Sequence, residues 1–463
     1  MSNAVKFNSF LLFQMIDSFT NLPQTIVSPL AIDTPNQAIT LYQSEFILQQ
    51  DQYTSTVNGT ISLNWFPRPG VIFKGIVQTN LKDVFLMMQS SKGLEVVVDG
   101  LVVSKAILTN HSSSESSTLA GKCIGEMILN DKSVSVDKVR FVVPNLRDFH
   151  GEVTQSLLDS GKLKAFNSRL YFENNSFEIV LDKSPQFPVI KKLLESQGGY
   201  AILYSGEIIK KKGAINYQDA QDLISCFSRF LAFLNGRRTS PILLEGIFDE
   251  EVKWTEVSPR IIDQYTHYVP SWPTQHSTTG LNELWQNFSK LWAEEEDFIV
   301  TALHWYVEAN GNSGFVEGSI VMAQTALELI YNWLIIEKKR MIIGQDAETL
   351  SAANKIRLIL SQLKISPQVP IALSSLQSYV SSEKLEDGVE AFVQIRNAII
   401  HSQSKKRKTL AEISNNAKYE ALQMALWYIE VSLLYIFSYK DKYFNRCSGE
   451  QWAGQGEEVV PYI

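Results

Sequence analysis

The chain has 463 residues, 45% of them hydrophobic and 20% charged, a globular composition that excludes intrinsic disorder. Its formal net charge of -7 excludes a protein that coats nucleic acid over its whole surface and leaves only a local basic patch for such contact. The length suits roughly three domains, each able to bury a full core.

The apolar stretch FLLFQMI, Phe10 to Ile16, lacks a basic leader and a small-residue cleavage site, so secretion is not expected. In VNGTISLNWFPRPGVIFKGIVQTN, Val57 to Asn80, apolar residues alternate at Ile61, Leu63 and Trp65. The pattern breaks at Pro67 and Pro69 and resumes at Val71, Phe73 and Val77, which predicts two strands around a proline-containing connection. LEVVVDGLVVSKAIL, CIGEMIL, VSVDKVRFVV, RLYFENNSFEIVL and YAILYSGEII read as further strands, with turns at Asp99-Gly100 and Asn174-Asn175. The serine cluster HSSSESST, His111 to Thr118, reads as an exposed loop. Residues 1–215 are thus expected to form a twisted, mostly antiparallel β domain.

QDAQDLISCFSRFLAFLNG predicts a helix with Leu223, Phe227, Phe230, Leu231 and Leu234 on one face and Gly236 as its stop. PILLEGIF, Pro241 to Phe248, predicts another strand. Residues 216–275 form an α/β extension and a linker punctuated by Pro270 and Pro273. From Leu281 the apolar period changes from two to about 3.6. Leu281, Leu284, Trp285, Phe288, Leu291 and Trp292 share one face, and Ile320, Ala323, Leu327, Ile330 and Leu334 another. A bundle of helices is expected over 276–445, and an irregular tail over 446–463. LWYIEVSLLYIF, Leu426 to Phe437, is short for a membrane span and is interrupted by Glu430, so it reads as a buried helix. The fold class is α+β multidomain, a β-rich N-terminal domain followed by an all-α bundle.

Three widely spaced cysteines, Cys123, Cys226 and Cys447, encode neither a disulfide framework nor a thiolate cluster and fit a reducing, cytoplasmic compartment. The six histidines, at 111, 150, 267, 276, 304 and 401, make no HExxH pattern, and no phosphate-binding GKS/T loop is present. Neither a metal nor a cofactor is expected.

The candidate chemistry lies in VEAFVQIRNAIIH, Val389 to His401, followed by the basic run Lys405, Lys406, Arg407 and Lys408. On an ideal helix Arg396 and His401 are about 7.5 Å apart in rise and roughly 140° apart around the axis. Asn397 stands four residues before His401, on the same side of the helix. Leu385, Val389, Phe392, Ile395 and Ile399 trace the buried side. A guanidinium suits phosphate oxygens, and an imidazole can take or give a proton near neutrality. A structural account competes: Arg396 pairing with Glu383, Glu386 or Glu390, and His401 capping the helix through its side chain. Glu328, a carboxylate inside the apolar ALELI, is expected either to position an active-site cation or to secure a neighbouring helix.

The RNAIIH segment resembles the R-x4-H motif of the HEPN superfamily, many of whose members are metal-independent ribonucleases. ALHWYVEANGNSGFVEGSIVMAQTALELIYNWL, Ala302 to Leu334, resembles the earlier helices of the Apea-type HEPN domain. NGTISLNWFPRPGVIFKGIV resembles the N-terminal module paired with that domain in bacterial anti-phage proteins, so the resemblance spans approximately residues 5 to 440. It implies a HEPN bundle in which Arg396 is the motif arginine, Asn397 the polar residue after it and His401 the motif histidine, completed by homodimerisation. The implied function is an anti-phage RNA endonuclease that uses 2′-hydroxyl attack and leaves 2′,3′-cyclic phosphate and 5′-hydroxyl ends. The β-rich half would sense a phage-derived trigger, and Lys405 to Lys408 would extend the RNA track. The alternative is a catalytically inactive HEPN protein that binds RNA or scaffolds a defence complex.

Overall fold

The computed structural model describes residues 22–463 apart from 91, 113–116, 158–160, 162, 267–268, 275–277, 312–314, 402 and 450–454. The FLLFQMI stretch and residues 113–116 of the serine cluster lie outside the described residues; His111, Ser112 and Thr118, expected in a loop, belong to strands. The chain divides into two compact units, one of residues up to 222 together with 241–265, the other of 223–240 together with 266–463.

The first unit holds two β systems. Strands β1 (Ile39–Gln50), β2 (Tyr53–Asn64), β3 (Gly70–Val77), β4 (Leu94–Val98), β5 (Leu101–Ser112) and β6 (Thr118–Ile124) close into a barrel in the order β1-β2-β3-β6-β5-β4. Helix α1 (Leu81–Gln89) lies between β3 and β4 in sequence. Both strands expected within Val57–Asn80 are present as β2 and β3. The Asp99-Gly100 turn between β4 and β5 has positive φ at both residues, 49° and 79°, the twist a two-residue hairpin requires. In the barrel Gly59 stands opposite Gly75. A Cβ on Gly59 would lie 2.1 Å from the Lys74 carbonyl oxygen and 2.6 Å from the Gly75 Cα, so only glycine lets these strands approach so closely.

The second system is an antiparallel sheet of β7 (Met127–Asn130), β8 (Lys138–Pro144), β9 (Glu152–Leu157), β10 (Leu163–Glu173), β11 (Phe177–Lys183), β12 (Ile202–Lys210), β13 (Ile242–Phe248) and β14 (Glu251–Val257), in the order β7-β14-β13-β8-β12-β11-β10-β9. Helices α2 (Phe187–Gln197) and α3 (Tyr217–Asn235) connect β11 to β12 and β12 to β13. The central strands β8 and β13 are buried along most of their length, as expected of strands covered on both faces. The exposed edge of β9 is blunted by the segment before the barrel: Thr25 N–H donates to the Gln155 carbonyl, and Gln155 N–H to that of Pro23, both at 2.9 Å. One apolar cluster runs from the barrel interior, through Phe46, Ile61 and Phe73, to Val142, Ile202 and Leu243 of the sheet. One twisted β domain was expected; the same strands form two sheets around a shared core.

The second unit is mostly helical: α4 (Leu281–Asn310), α5 (Phe315–Ile330), α6 (Gln345–Thr349), α7 (Ala352–Gln362), α8 (Ser374–Glu383), α9 (Gly388–Ile400), α10 (Ser404–Glu412) and α11 (Asn415–Ile436). The latter part of α3 joins it through its aromatic face. Phe227 meets Trp285 at 5.3 Å, Phe230 meets Phe288 at 5.3 Å, and Phe233 meets Trp272 at 5.1 Å. Burying each such ring contributes about 1.5–3 kcal/mol, which outweighs the chain continuity that would keep α3 with the sheet. Beyond Ile330 the helix widens into a π-helical stretch, Tyr331–Lys338. Phe315–Lys338 is long and apolar enough to cross a membrane by length and composition, but most of it is buried in this unit, and a core helix passes the same test. The architecture is therefore a β-rich N-terminal part, including a barrel, followed by a mostly α-helical C-terminal region.

Helix α11 is buried almost all round from Ala417 to Leu434, so Leu426 to Phe437 is core. The residues read from sequence as an irregular tail include β16 (Glu457–Val459), which pairs with β15 (Lys442–Phe444). All three cysteines are buried free thiols.

Candidate functional site

Helix α9 begins at a strong cap. The Asp387 carboxylate accepts the Glu390 N–H at 2.8 Å, and the Arg357 guanidinium of α7 grips both its oxygens, at 2.7 and 3.0 Å. This cap satisfies an orphan donor of the first turn and fixes the helix against α7. Val389, Phe392 and Ile395 are buried as the period demands, while Leu385 and Ile399 are half-buried.

Arg396 is half-buried beside that apolar stripe. Its Nη1 donates to Asn397 Oδ1 at 3.1 Å, and its buried Nε has no hydrogen-bond partner. It forms no ion pair with Glu383, Glu386 or Glu390; the Glu390 carboxylate instead accepts the Glu386 N–H at 2.8 Å. His401 is exposed and ends the helix through its backbone, its N–H donating to the Asn397 carbonyl at 3.0 Å while its φ and ψ of -85° and 68° leave the helical region. The described contacts give the imidazole no capping hydrogen bond. Neither bland account, an Arg396 ion pair or a His401 side-chain cap, is therefore what the structure contains.

The chain turns through Gln403, whose carbonyl accepts the Arg407 N–H at 2.9 Å, directly into α10. The basic run is thus helical rather than a loop. Lys405 and Lys406 lie in the first turn and a half of α10, and Arg407 and Lys408 are exposed. No acidic residue stands in that first turn. Cations at a helix N-terminus oppose the macrodipole, each by roughly 0.3–1 kcal/mol, so an anion there would be stabilised twice over.

Glu328 is not brought to this elbow. Its carboxylate accepts from Lys355 Nζ of α7 at 2.6 Å, which makes it a tie between neighbouring helices. In the HWYVEAN segment His304 is exposed and its pKa is lowered, by burial first and then by Arg238 and Arg229. Tyr306 is fully buried and donates to Glu430 Oε1 at 2.6 Å. That contact belongs to a network the sequence reading missed. Arg446 Nε donates to Glu430 Oε2 at 2.9 Å and its Nη1 to Gln423 Oε1 at 3.1 Å; its Nη2 donates to Asn310 Oδ1 at 3.1 Å and to the Pro270 carbonyl at 3.3 Å. The one signal for it was Glu430 interrupting LWYIEVSLLYIF. Among the described residues, no group of three or more His, Cys, Asp or Glu side chains could hold a metal ion.

Residues 131–268 match the family model of the YopA central domain, and residues 293–458 that of the YopA C-terminal domain. The chain is similar to the SPbeta prophage-derived uncharacterized protein YopA of Bacillus subtilis (strain 168), 26% identical over 422 residues, which span 89% of this chain and 92% of that protein. No solved structure matches. The HEPN resemblance is overturned. The stretches that carried most of it, Ala302 to Leu334 and Arg396 to His401, fall inside the YopA C-terminal match. R-x4-H fixes only two positions, and on one helix those diverge by roughly 140°, so the motif constrains no packing that would identify a family. The descriptions endoribonuclease, nuclease and antiviral defence came with that resemblance and fall with it.

Proposed function

We propose that this is an RNA-binding protein that holds a ribonucleotide chain at the α9–α10 elbow. The observation that carries the reading is the half-buried Arg396 guanidinium, held against Asn397 with no carboxylate partner among the described residues, next to a helix whose second to fifth residues are all cations. A half-buried guanidinium in that state is a donor set built for an acidic oxygen, and phosphate fits its planar geometry. The Asn397 amide, whose oxygen is taken by Arg396, keeps its N–H groups for a sugar hydroxyl or a base edge. The exposed Arg407 and Lys408 supply the salt-sensitive, sequence-independent attraction of a phosphate track. The overall charge of -7 argues for a local contact of this kind rather than one spread over the whole surface.

The test is fluorescence anisotropy with a single-stranded RNA of about 20 nucleotides and the DNA of the same sequence, at salt between about 50 and 200 mM. The expected result is salt-sensitive RNA binding that the double variant Arg407→Glu/Lys408→Glu weakens at least tenfold. RNA affinity that this variant and Arg396→Ala both leave unchanged would remove the elbow from the interface, and equal affinity for DNA would remove the sugar contact. Incubation in chelator followed by end analysis covers catalysis: cyclic phosphate ends that vanish in His401→Ala would replace this reading with a cleaving one.

A further inference from the structure

The geometry points to a second binding site in the helical unit, for an aromatic anion of the nucleoside monophosphate class. The π-helical stretch, the end of α11 and the segment at Tyr462 line an open hollow of about 410 Å³, within the range of small-ligand pockets, about 300–1,000 Å³. Its walls are aromatic and its rim is cationic. Tyr435 and Tyr462 meet edge to face at 5.1 Å and Trp333 lies beside them, while Lys338, Lys339 and Lys440 also line the hollow.

Two features single it out from the other hollows. The first is Lys339. Its ammonium lies 5.2 Å over the Tyr435 ring and donates to the Tyr435 hydroxyl at 2.8 Å, with no carboxylate within ion-pair distance among the described residues. An ammonium has three donors, and a neutral phenol occupies one; the others suit a phosphate oxygen. The second is the backbone that carries it. Lys339 N–H reaches back five residues to the Leu334 carbonyl, at 3.0 Å. Such widened turns occur often at functional positions. This one is held from outside, because Trp333 stacks on Phe298 at 4.3 Å and donates its indole N–H to Glu295 at 2.9 Å, and Glu295 also takes Lys338. Lys338 is committed to that carboxylate and Lys440 stands 3.6 Å from Glu283, so Lys339 is the phosphate donor. The Tyr435 ring would stack on the base, with Tyr462 meeting that ring edge-on, and stacking tolerates any base because every base has a π-face.

Isothermal titration of the full chain with AMP, GMP, CMP and UMP tests this, with adenosine and ribose 5-phosphate as the two halves of the ligand. Saturable binding of at least one mononucleotide is expected. Each half should bind about tenfold or more weakly. Lys339→Glu, at an exposed position, should abolish binding, and Tyr435→Phe, which keeps the ring, should weaken it less than Tyr435→Ala. Arg407→Glu/Lys408→Glu should leave it unchanged, which separates this site from the elbow. No saturable binding of any of the four, binding unaltered by Lys339→Glu, or binding lost in the elbow variant would overturn the proposal.

Discussion

Arg446 and Glu430 form an ion pair with side chains 2% and 0% exposed, two hydrogen bonds joining guanidinium to carboxylate. A pair so placed is costly to desolvate and holds because every neighbour is polar on the facing side: Tyr306, Gln423, Asn310 and the Pro270 carbonyl.

Removing one partner strands the other. Glu430→Leu and Arg446→Met are each expected to destabilise the helical unit by about 3–5 kcal/mol. The double variant Glu430→Leu/Arg446→Met should recover more than half of the summed loss. Urea unfolding followed by tryptophan fluorescence measures all three, and strictly additive losses would mean that the pair is not coupled.

The Asp387 cap is expected to set the order of the whole elbow. Asp387→Ala loses an N-cap, about 1 kcal/mol, and the bidentate grip of Arg357. Hydrogen exchange should speed up along α9 before it does in α11, and RNA affinity should fall although no phosphate contact is touched. Protection in α9 matching the parent chain would show the cap to be redundant.

Gly59→Ala is expected to open or unfold the barrel. The added Cβ meets backbone atoms at 2.1 and 2.6 Å, which no side-chain adjustment relieves, so a loss of about 3 kcal/mol or more follows. Gly100→Ala, where a Cβ meets nothing within 4 Å but φ is 79°, should cost less, about 1 kcal/mol. Circular dichroism melts of the two variants give the comparison, and the reverse order would contradict the close approach of β2 and β3.

Glu295 predicts a pH dependence. Lys338 first, then the Trp333 indole, holds its carboxyl below the usual carboxylate range. A depressed carboxyl contributes stability that is full above its unfolded value and is lost as pH falls through the folded one. Glu295→Gln should therefore be less stable than the parent at neutral pH, with the gap closing below about pH 4. Denaturant midpoints at the two pH values read this directly, and a gap that persists in acid would assign the loss to packing instead.

The parts of the molecule governed by local chemistry were legible. Strands β2 and β3 follow from the alternation through Ile61, Leu63 and Val71, and the Asp99-Gly100 turn from residues that tolerate positive φ. Closure of the barrel was not, because it depends on pairings such as Gly75 with Leu119 between strands distant in sequence. At the elbow the apolar stripe Val389, Phe392 and Ile395 placed Arg396 correctly, yet a two-position motif could not name a family. Glu430 announced itself as a charge in an apolar run; its partner sits sixteen positions on, in a segment with no periodic pattern. The π-helical stretch left no trace in composition, since the contacts that hold it reach back to Phe298 and Glu295.

Residues 223–240 are strung between two strands of one sheet, β12 and β13, yet count with the helices. Neither half of the molecule is therefore an uninterrupted stretch of polypeptide. A protease nick or a gene truncation near position 265 would leave the helical product missing an aromatic ridge and the other product carrying that ridge as a surplus, bare to solvent. Expression of the halves by themselves should yield aggregates, and a rearranged chain in which 241–265 precedes 223–240, so that 223–240 runs on into the helices, is the one that could make them separable.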